Sequence, residues 1–362
     1  MAGRPYARHP LVAAFAPPLL AGLLTALLIV LLRRPAERLR LLDQPGGRKR
    51  HSDAVPLTGG IALALGFYIV LSVSFAAVGD FAVFLALIGV LAFVGMIDDL
   101  VEASPRAKLG VQLLAAVLMT TWGEHRLLGL GNLFGGGALL LGDWSIPFTV
   151  FATVAVVNAI NMLDGLDGLA GGLVAVMLGC LALFAFWLGE AGSMTVIVAL
   201  LGAVLGFLLF NAPRPWRLGQ RTFMGDSGSL VLGFAVAWFT IDLSQRRAVA
   251  APPVVMLWVV GLVLFDLFTV TVRRVLSRRS PVAADRGHIH HLLQRCGLSA
   301  NGTWVLLIAA NALLGAIGAI GWRAGLSEPV LLGAYLALGL GYFAVFIKPG
   351  WLIRRFRREA SD

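Results

Sequence analysis

Eleven apolar stretches, most of them long enough to cross a bilayer, constrain this chain more than any other feature. A spanning helix needs about 20 mostly apolar residues. The stretches run Leu11–Leu32, Pro56–Val78, Phe81–Ile97, Leu109–Trp122, Ser145–Met162, Leu169–Leu188, Met194–Phe210, Ser229–Ile241, Pro253–Val272, Thr303–Trp322 and Pro329–Ile347. The fourth and eighth are short, which leaves ten as the lower count. With 59% apolar and 13% charged residues and a mean hydropathy of +0.87, the chain lacks the polar surface of a soluble domain. A soluble enzyme, a disordered chain and a coiled coil are excluded. The pattern predicts an all-α, polytopic integral membrane protein, with one transmembrane domain over 1–362 ending in a basic tail at 348–362. The first stretch is long for a signal peptide, and Arg33 and Arg34 follow it where a small-residue cleavage site would stand, so a retained span is expected. Cys180 and Cys296 are too few for a disulfide framework or a metal cluster.

The formal charge of +10 is explained by loops. Eleven spans place 23 of the 29 basic residues on one face, which the positive-inside rule makes cytoplasmic. A multi-pass protein of the cell (inner) membrane follows, with a cytoplasmic C-terminus. Charge spread over loop ends in this way gives no reason to expect nucleic acid as a partner.

The acids are few and clustered. Asp98, Asp99 and Glu102 close the third span. Acids at a helix C-terminus oppose the helix dipole, and a bound divalent cation or a catalytic role would compensate. Two adjacent carboxylates also raise one pKa, as a general base requires. Asn158, Asn161 and Asp164 recur every three residues along one side of the fifth span's end, followed by Asp167 and two Asp-Gly steps. A polar seam between helices is the plainer reading. The Asp-Gly steps favour a ligand site, because they let backbone approach a bound molecule. Gly225-Asp226-Ser227-Gly228-Ser229 is an N-cap, a phosphate-binding helix start or a carboxylate for Mg²⁺. Asp285-Arg286-Gly287-His288-Ile289-His290-His291 holds three of the six histidines. With no cysteine nearby and an arginine within it, a diphosphate clamp suits it as well as zinc does. Lys49 and His51 lie in a basic first loop ahead of Gly59-Gly60 and suit phosphate. Asp266 sits inside the ninth span, where a carboxylate costs roughly 2.5–3.5 kcal/mol to insert and so faces the bundle interior. By the span count all four polar clusters share the cytoplasmic face, where carboxylates for a cation and basic groups for phosphates imply phosphoryl transfer at the membrane edge.

These motifs together resemble the polyprenyl-phosphate N-acetylhexosamine-1-phosphate transferases. The resemblance is carried by Asp43-x-Pro-x-x-Arg48-Lys49-x-His51 with Pro56-x-x-Gly59-Gly60, and by Asp98-Asp99-x-x-Glu102 with Lys108 and Gln112. Asn158 to Leu169, Phe210-Asn211, Phe223-Met224-Gly225-Asp226-x-Gly228-Ser229 and Asp285-Arg-x-His288-Ile-His290-His291 complete it. It implies that a lipid phosphate attacks the β-phosphate of a UDP-sugar, with UMP leaving, at a site supplied with Mg²⁺ (Mn²⁺ as the alternative). By resemblance Asp226 binds the metal. Asp98 or Asp99 is a base or a metal aid, Asp98 the better candidate for the base. Asn158, Asn161, Asp164, Asp167 and Asn211 shape the nucleotide site, and Lys49, His51, His288, His290 and His291 hold phosphates. The His-Ile-His-His form and the long Asn211-to-Gly225 connection resemble the bacterial branch that loads N-acetylglucosamine-1-phosphate onto undecaprenyl phosphate. The muramoyl-pentapeptide branch is the alternative within the family, and a secondary transporter of an anionic metabolite is the alternative outside it. Spans rich in small residues also suit a homodimer.

Overall fold

The computed structural model describes residues 10–44, 54–74, 78–101, 103–245, 250–280, 287–351 and 353–354. Thirteen helices are found among them: α1 (Pro10–Leu39), α2 (Gly59–Ser74), α3 (Ala82–Val101), α4 (Pro105–Thr121), α5 (Ser145–Met162), α6 (Leu169–Leu188), α7 (Ala191–Asn211), α8 (Gly225–Ser244), α9 (Pro253–Val259), α10 (Gly261–Leu276), α11 (Ile289–Arg295), α12 (Ala300–Arg323) and α13 (Glu328–Phe346). Two short strands, β1 (Leu42–Asp43) and β2 (Val55–Pro56), pair antiparallel ahead of α2. The all-α expectation holds.

The helices account for the apolar stretches, and the count of eleven spans is not confirmed. Among the described residues, eight helices are long and apolar enough to cross a membrane, and nine if a broken pair is counted as one span. The two remaining stretches fold as α2 and α4, of 16 and 17 residues, the latter carrying Arg106 and Lys108 in its first turn. The ninth stretch is not one straight helix. It breaks between α9 and α10 with a bend of 79°. In exchange, α10 delivers Asp266 and Arg274 to the loop that carries the histidines.

Helix α8 is the central column. It packs on α2, α3, α5, α6 and α9, and nearly all of its length is buried. Its Phe234, Trp238 and Phe239 form an aromatic cluster with Phe84 of α3. Peripheral helices show the opposite character. On α13, Val330, Leu336, Leu338 and Leu340 are exposed, the surface expected of a helix facing lipid chains. The N-terminus of α8 is wedged among its neighbours. A Cβ on Gly95 of α3 would stand 2.4 Å from the backbone of Ser227, and one on Gly60 of α2 2.2 Å from that of Gly228. The loop before α8 is tied to the start of α2, since Gly59 and Gly60 donate their N–H groups to the carbonyls of Phe223 and Met224, each at 3.0 Å. Two helix starts and the end of α3 therefore meet at one point.

Candidate active site

Asp226 occupies that point. Its Oδ1 accepts a hydrogen bond from Asn161 Nδ2 at 2.6 Å, and its Oδ2 meets Lys108 Nζ at 2.6 Å. The same ammonium pairs with Asp98, whose side chain is buried. Asp98 Oδ1 also accepts from the Ala103 N–H at 2.7 Å. Asn161 spans the gap between α5 and α8, donating to Ser229 Oγ at 2.8 Å as well. One turn back on α5, Asn158 donates to Gln112 Oε1 of α4 at 2.5 Å. The three-residue spacing of the polar side chains thus links α5 to both neighbouring helices.

Asp98 and Asp99 are adjacent in sequence and diverge in space. Asp99 caps α8, where its Oδ1 accepts the N–H of Asp226 at 2.7 Å and its Oδ2 that of Ser227 at 3.3 Å. An acid at the C-terminus of α3 is poorly placed for its own helix, yet here it lies against the positive end of another. Gly225 makes this approach possible. Its φ is +69°, and a Cβ there would stand 2.4 Å from Asp99 Oδ2. The first N–H groups of α8 are therefore taken by Asp99.

The turn after α5 carries Asp164 and Asp167. Asp164 lies outside the spans, and burial raises its pKa well above the usual carboxylate range, reinforced by the charges of Asp226, Asp99 and Asp167. Asp167 faces the loop between α7 and α8, where its Oδ1 accepts from Arg221 Nη2 at 2.6 Å and its Oδ2 lies 3.6 Å from Arg217 Nη1. Asn211 is buried, and both ends of its amide are engaged. Its Oδ1 accepts from the Gly168 N–H at 2.8 Å, and its Nδ2 donates to the Thr222 carbonyl at 2.7 Å. It couples the Asp-Gly turn to the strand of loop ahead of Asp226.

The histidine loop joins the same end. His290 packs against Gly165 of the Asp-Gly turn, at 2.6 Å from where a Cβ would be. Its buried ring has no hydrogen-bond partner at either nitrogen. Burial, with His291 and His288 nearby, lowers its pKa to about 2, so it stays neutral at any physiological pH. His288 is held from both sides, its Nδ1 2.7 Å from Asp266 Oδ2 and its Nε2 3.3 Å from Arg274 Nη2. An arginine only donates, so Nε2 accepts and Nδ1–H donates to Asp266. Asp266 Oδ1 accepts from the Ile289 N–H at 2.9 Å and from Tyr342 Oη at 3.0 Å. His291 is half-buried, its ring centroid 4.1 Å from that of His290.

All four clusters therefore meet at one end of the bundle. Lys49 and His51 lie outside the described residues, as do Glu102 and Asp285. No group of three or more His, Cys, Asp or Glu side chains is arranged to hold a metal among the described residues. The arrangement does fit a hard cation in another way. Oxygens of Asp98 and Asp226 converge on the Lys108 ammonium, a positive charge standing between two carboxylates, and Mg²⁺ is held by one or two carboxylates with the rest of its shell from water and substrate.

Comparison with known proteins identifies the family. The sequence pattern described as glycosyl transferase family 4 matches residues 81–244, the stretch from the start of α3 through α8. The undecaprenyl-phosphate α-N-acetylglucosaminyl 1-phosphate transferase of Escherichia coli K12 is 33% identical over 342 residues, covering 94% of this chain and 92% of that protein. Proteins of the same name from Yersinia pestis and Haemophilus influenzae are each 34% identical. They cover 90% and 93% of this chain, and 88% and 95% of their own length. The chain belongs to glycosyl transferase family 4. In this member of the family, sequence reasoning left four contacts without a role. Lys108 was part of a motif but had no partner assigned, and Arg217, Arg221 and Arg274 gave no local signal beyond their charge. Asp266 was legible as an interior carboxylate, whereas its pairing with His288 was not.

Proposed function

We propose that this protein transfers N-acetylglucosamine 1-phosphate from UDP-N-acetylglucosamine to undecaprenyl phosphate. A phosphate oxygen of the lipid attacks the donor's β-phosphorus, the bond to the UMP oxygen breaks, and UMP leaves. What supports this above all is Asp226, held by Lys108 and Asn161 at a helix start in a chain alike over most of its length to transferases of that name. The lipid phosphate is largely ionised near neutral pH, so positioning and charge neutralisation carry the chemistry more than a base does. Asp99 is committed to the α8 backbone, which leaves Asp98 as the better-placed base or metal aid. Asp226 with Asp98 would hold Mg²⁺ or Mn²⁺, which supplies charge neutralisation at the diphosphate. Asn158, Asn161, Asp164 and Asp167 line the donor side, and Lys49, His51 and His291 lie on segments suited to phosphates. The sequence's bias of 23 of 29 basic residues to one side supports a site on the cytoplasmic face of the inner membrane, at the first membrane step of an envelope polysaccharide.

The test uses detergent-purified protein with undecaprenyl phosphate, Mg²⁺ and one UDP-sugar at a time, following UMP release and lipid-linked sugar. Metal-dependent release with UDP-N-acetylglucosamine, abolished by EDTA, is expected. Turnover only with UDP-N-acetylmuramoyl-pentapeptide would move the protein to the peptidoglycan branch, and no turnover from folded protein would overturn the assignment.

A further inference from the structure

The loop at 212–224 folds its arginines back over the Asp-Gly turn. Arg221 Nη2 donates to Asp167 at 2.6 Å, Arg217 lies 3.6 Å from the other oxygen, and the Arg221 guanidinium sits 4.7 Å above the Phe223 ring. Phe223 is three residues before Asp226, so one short segment reaches from this ion pair to the α8 start. One carboxylate cannot neutralise two guanidiniums. Arg217 shows the surplus: burial and the charges of Arg221 and Arg214 lower its proton affinity, and only Asp167 opposes them. Arg221 has further unspent capacity, since its buried Nε has no hydrogen-bond partner.

The opposite imbalance lies beside it. Asp98 and Asp226 share the ammonium of Lys108, and Asp99 and Asp164 lie close enough to Asp226 to add their charges to the same cluster. The site is therefore polarised, with an acidic interior and a basic rim centred on Asp167. A cation bound by the interior attracts a phosphate from one side, and a second phosphate beside it needs donors that belong to the protein. Guanidinium groups supply them in a planar fork matched to phosphate oxygens.

We propose that Arg217 and Arg221 form a phosphate-binding rim for the diphosphate of the nucleotide-sugar donor, exchanging part of their contact with Asp167 for the incoming phosphate. This rests on the transferase reading above. The same chemistry could serve the lipid acceptor's phosphate. The donor is favoured because it brings two phosphates to two guanidiniums, whereas the acceptor brings one.

The experiment uses the full-length protein in detergent and compares Arg221→Gln, Arg221→Lys, Arg217→Gln and the double variant Arg221→Gln/Asp167→Asn. KM is measured separately for UDP-N-acetylglucosamine and undecaprenyl phosphate. A charge-assisted hydrogen bond is worth enough that Arg221→Gln should raise the donor KM roughly tenfold or more. The lipid KM should stay unchanged and kcat should change far less. Arg221→Lys should recover part of the loss, and Arg217→Gln should show a smaller defect of the same kind. If the arginines only neutralise Asp167, the double variant restores the donor KM, and the proposal fails. It fails equally if the lipid KM rises in place of the donor KM, or if neither moves. Wild-type protein without turnover on any donor would instead remove the transferase reading, and this inference with it.

Discussion

Asp226 and Asp266 are carboxylates on helices at the same end of the bundle, and their surroundings differ in kind. Asp266 is closed. Its two oxygens accept from His288, the Ile289 N–H and Tyr342, and Arg274 backs the histidine. Every donor there belongs to the protein, and together they bind α10, the histidine loop and α13 into one unit. Asp226 is open. It shares one ammonium with Asp98 and lies near two further acids, so negative charge is in excess. A buried carboxylate with its donors complete holds a fold in place. A cluster with too few cations is costly to the fold and is completed by something that binds.

Removing each carboxylate should separate the two roles. Asp226→Asn keeps the shape and most hydrogen-bonding capacity, and it removes the charge. Turnover should fall by at least about a hundredfold, the scale of losing one preorganised electrostatic contact. The melting temperature should stay close to wild type or rise. Equal turnover in the variant would mean that Asp226 is only a helix cap. Asp266→Ala should do the reverse. It strands several buried donors, each costing roughly 1–3 kcal/mol, so a large drop in melting temperature is expected. A thermal melt that does not move would show that α10 and the histidine loop are held by packing alone.

Gly225→Ala probes the contact between the two acidic elements. The φ of +69° disfavours any side chain, and the new methyl would displace Asp99 from the α8 N–H groups. The strain is of order 1–2 kcal/mol, so a moderate fall in melting temperature should accompany a loss of turnover. Retained activity would mean that α8 keeps its position without the Asp99 cap.

How far the sequence carried differs between the same two carboxylates. Asn158 and Asn161 were legible because residue type and spacing alone mark a polar stripe on an apolar helix. Asp98 was legible because an acid ends an apolar span, and Asp226 through the family resemblance, since its own residues left several roles open. The role of Asp99 was half legible: an acid at the end of α3 needed a compensating charge, and sequence could not say that another helix's N-terminus supplies it. The Asp266–His288 pair was not legible. The partners are 22 residues apart, one within α10 and the other at the start of α11, and neither has a local signal that names the other. No proline marks the break at Val260. Prolines stand only at the start of α9, at Pro252 and Pro253.

Asp164 gives the smallest effect and the finest distinction. It belongs to the open cluster and has a pKa raised well above that of the unfolded chain, through burial and then the neighbouring carboxylates. The folded state thus keeps a proton that the unfolded state releases. Stability from this group is present at low pH and is lost as pH rises from the ordinary carboxylate range through the raised value. Asp164→Asn removes the penalty, so the variant should melt a few degrees above wild type at neutral pH. The difference should close on acidification below the ordinary carboxylate range. Turnover should decline in the same variant, because the charge that destabilises the empty fold is part of the acidic pole. Thermal melts of both proteins across pH decide it. A variant that melts below wild type at every pH would mean that the Asp164 charge is already compensated, and the cluster would then resemble the closed surroundings of Asp266.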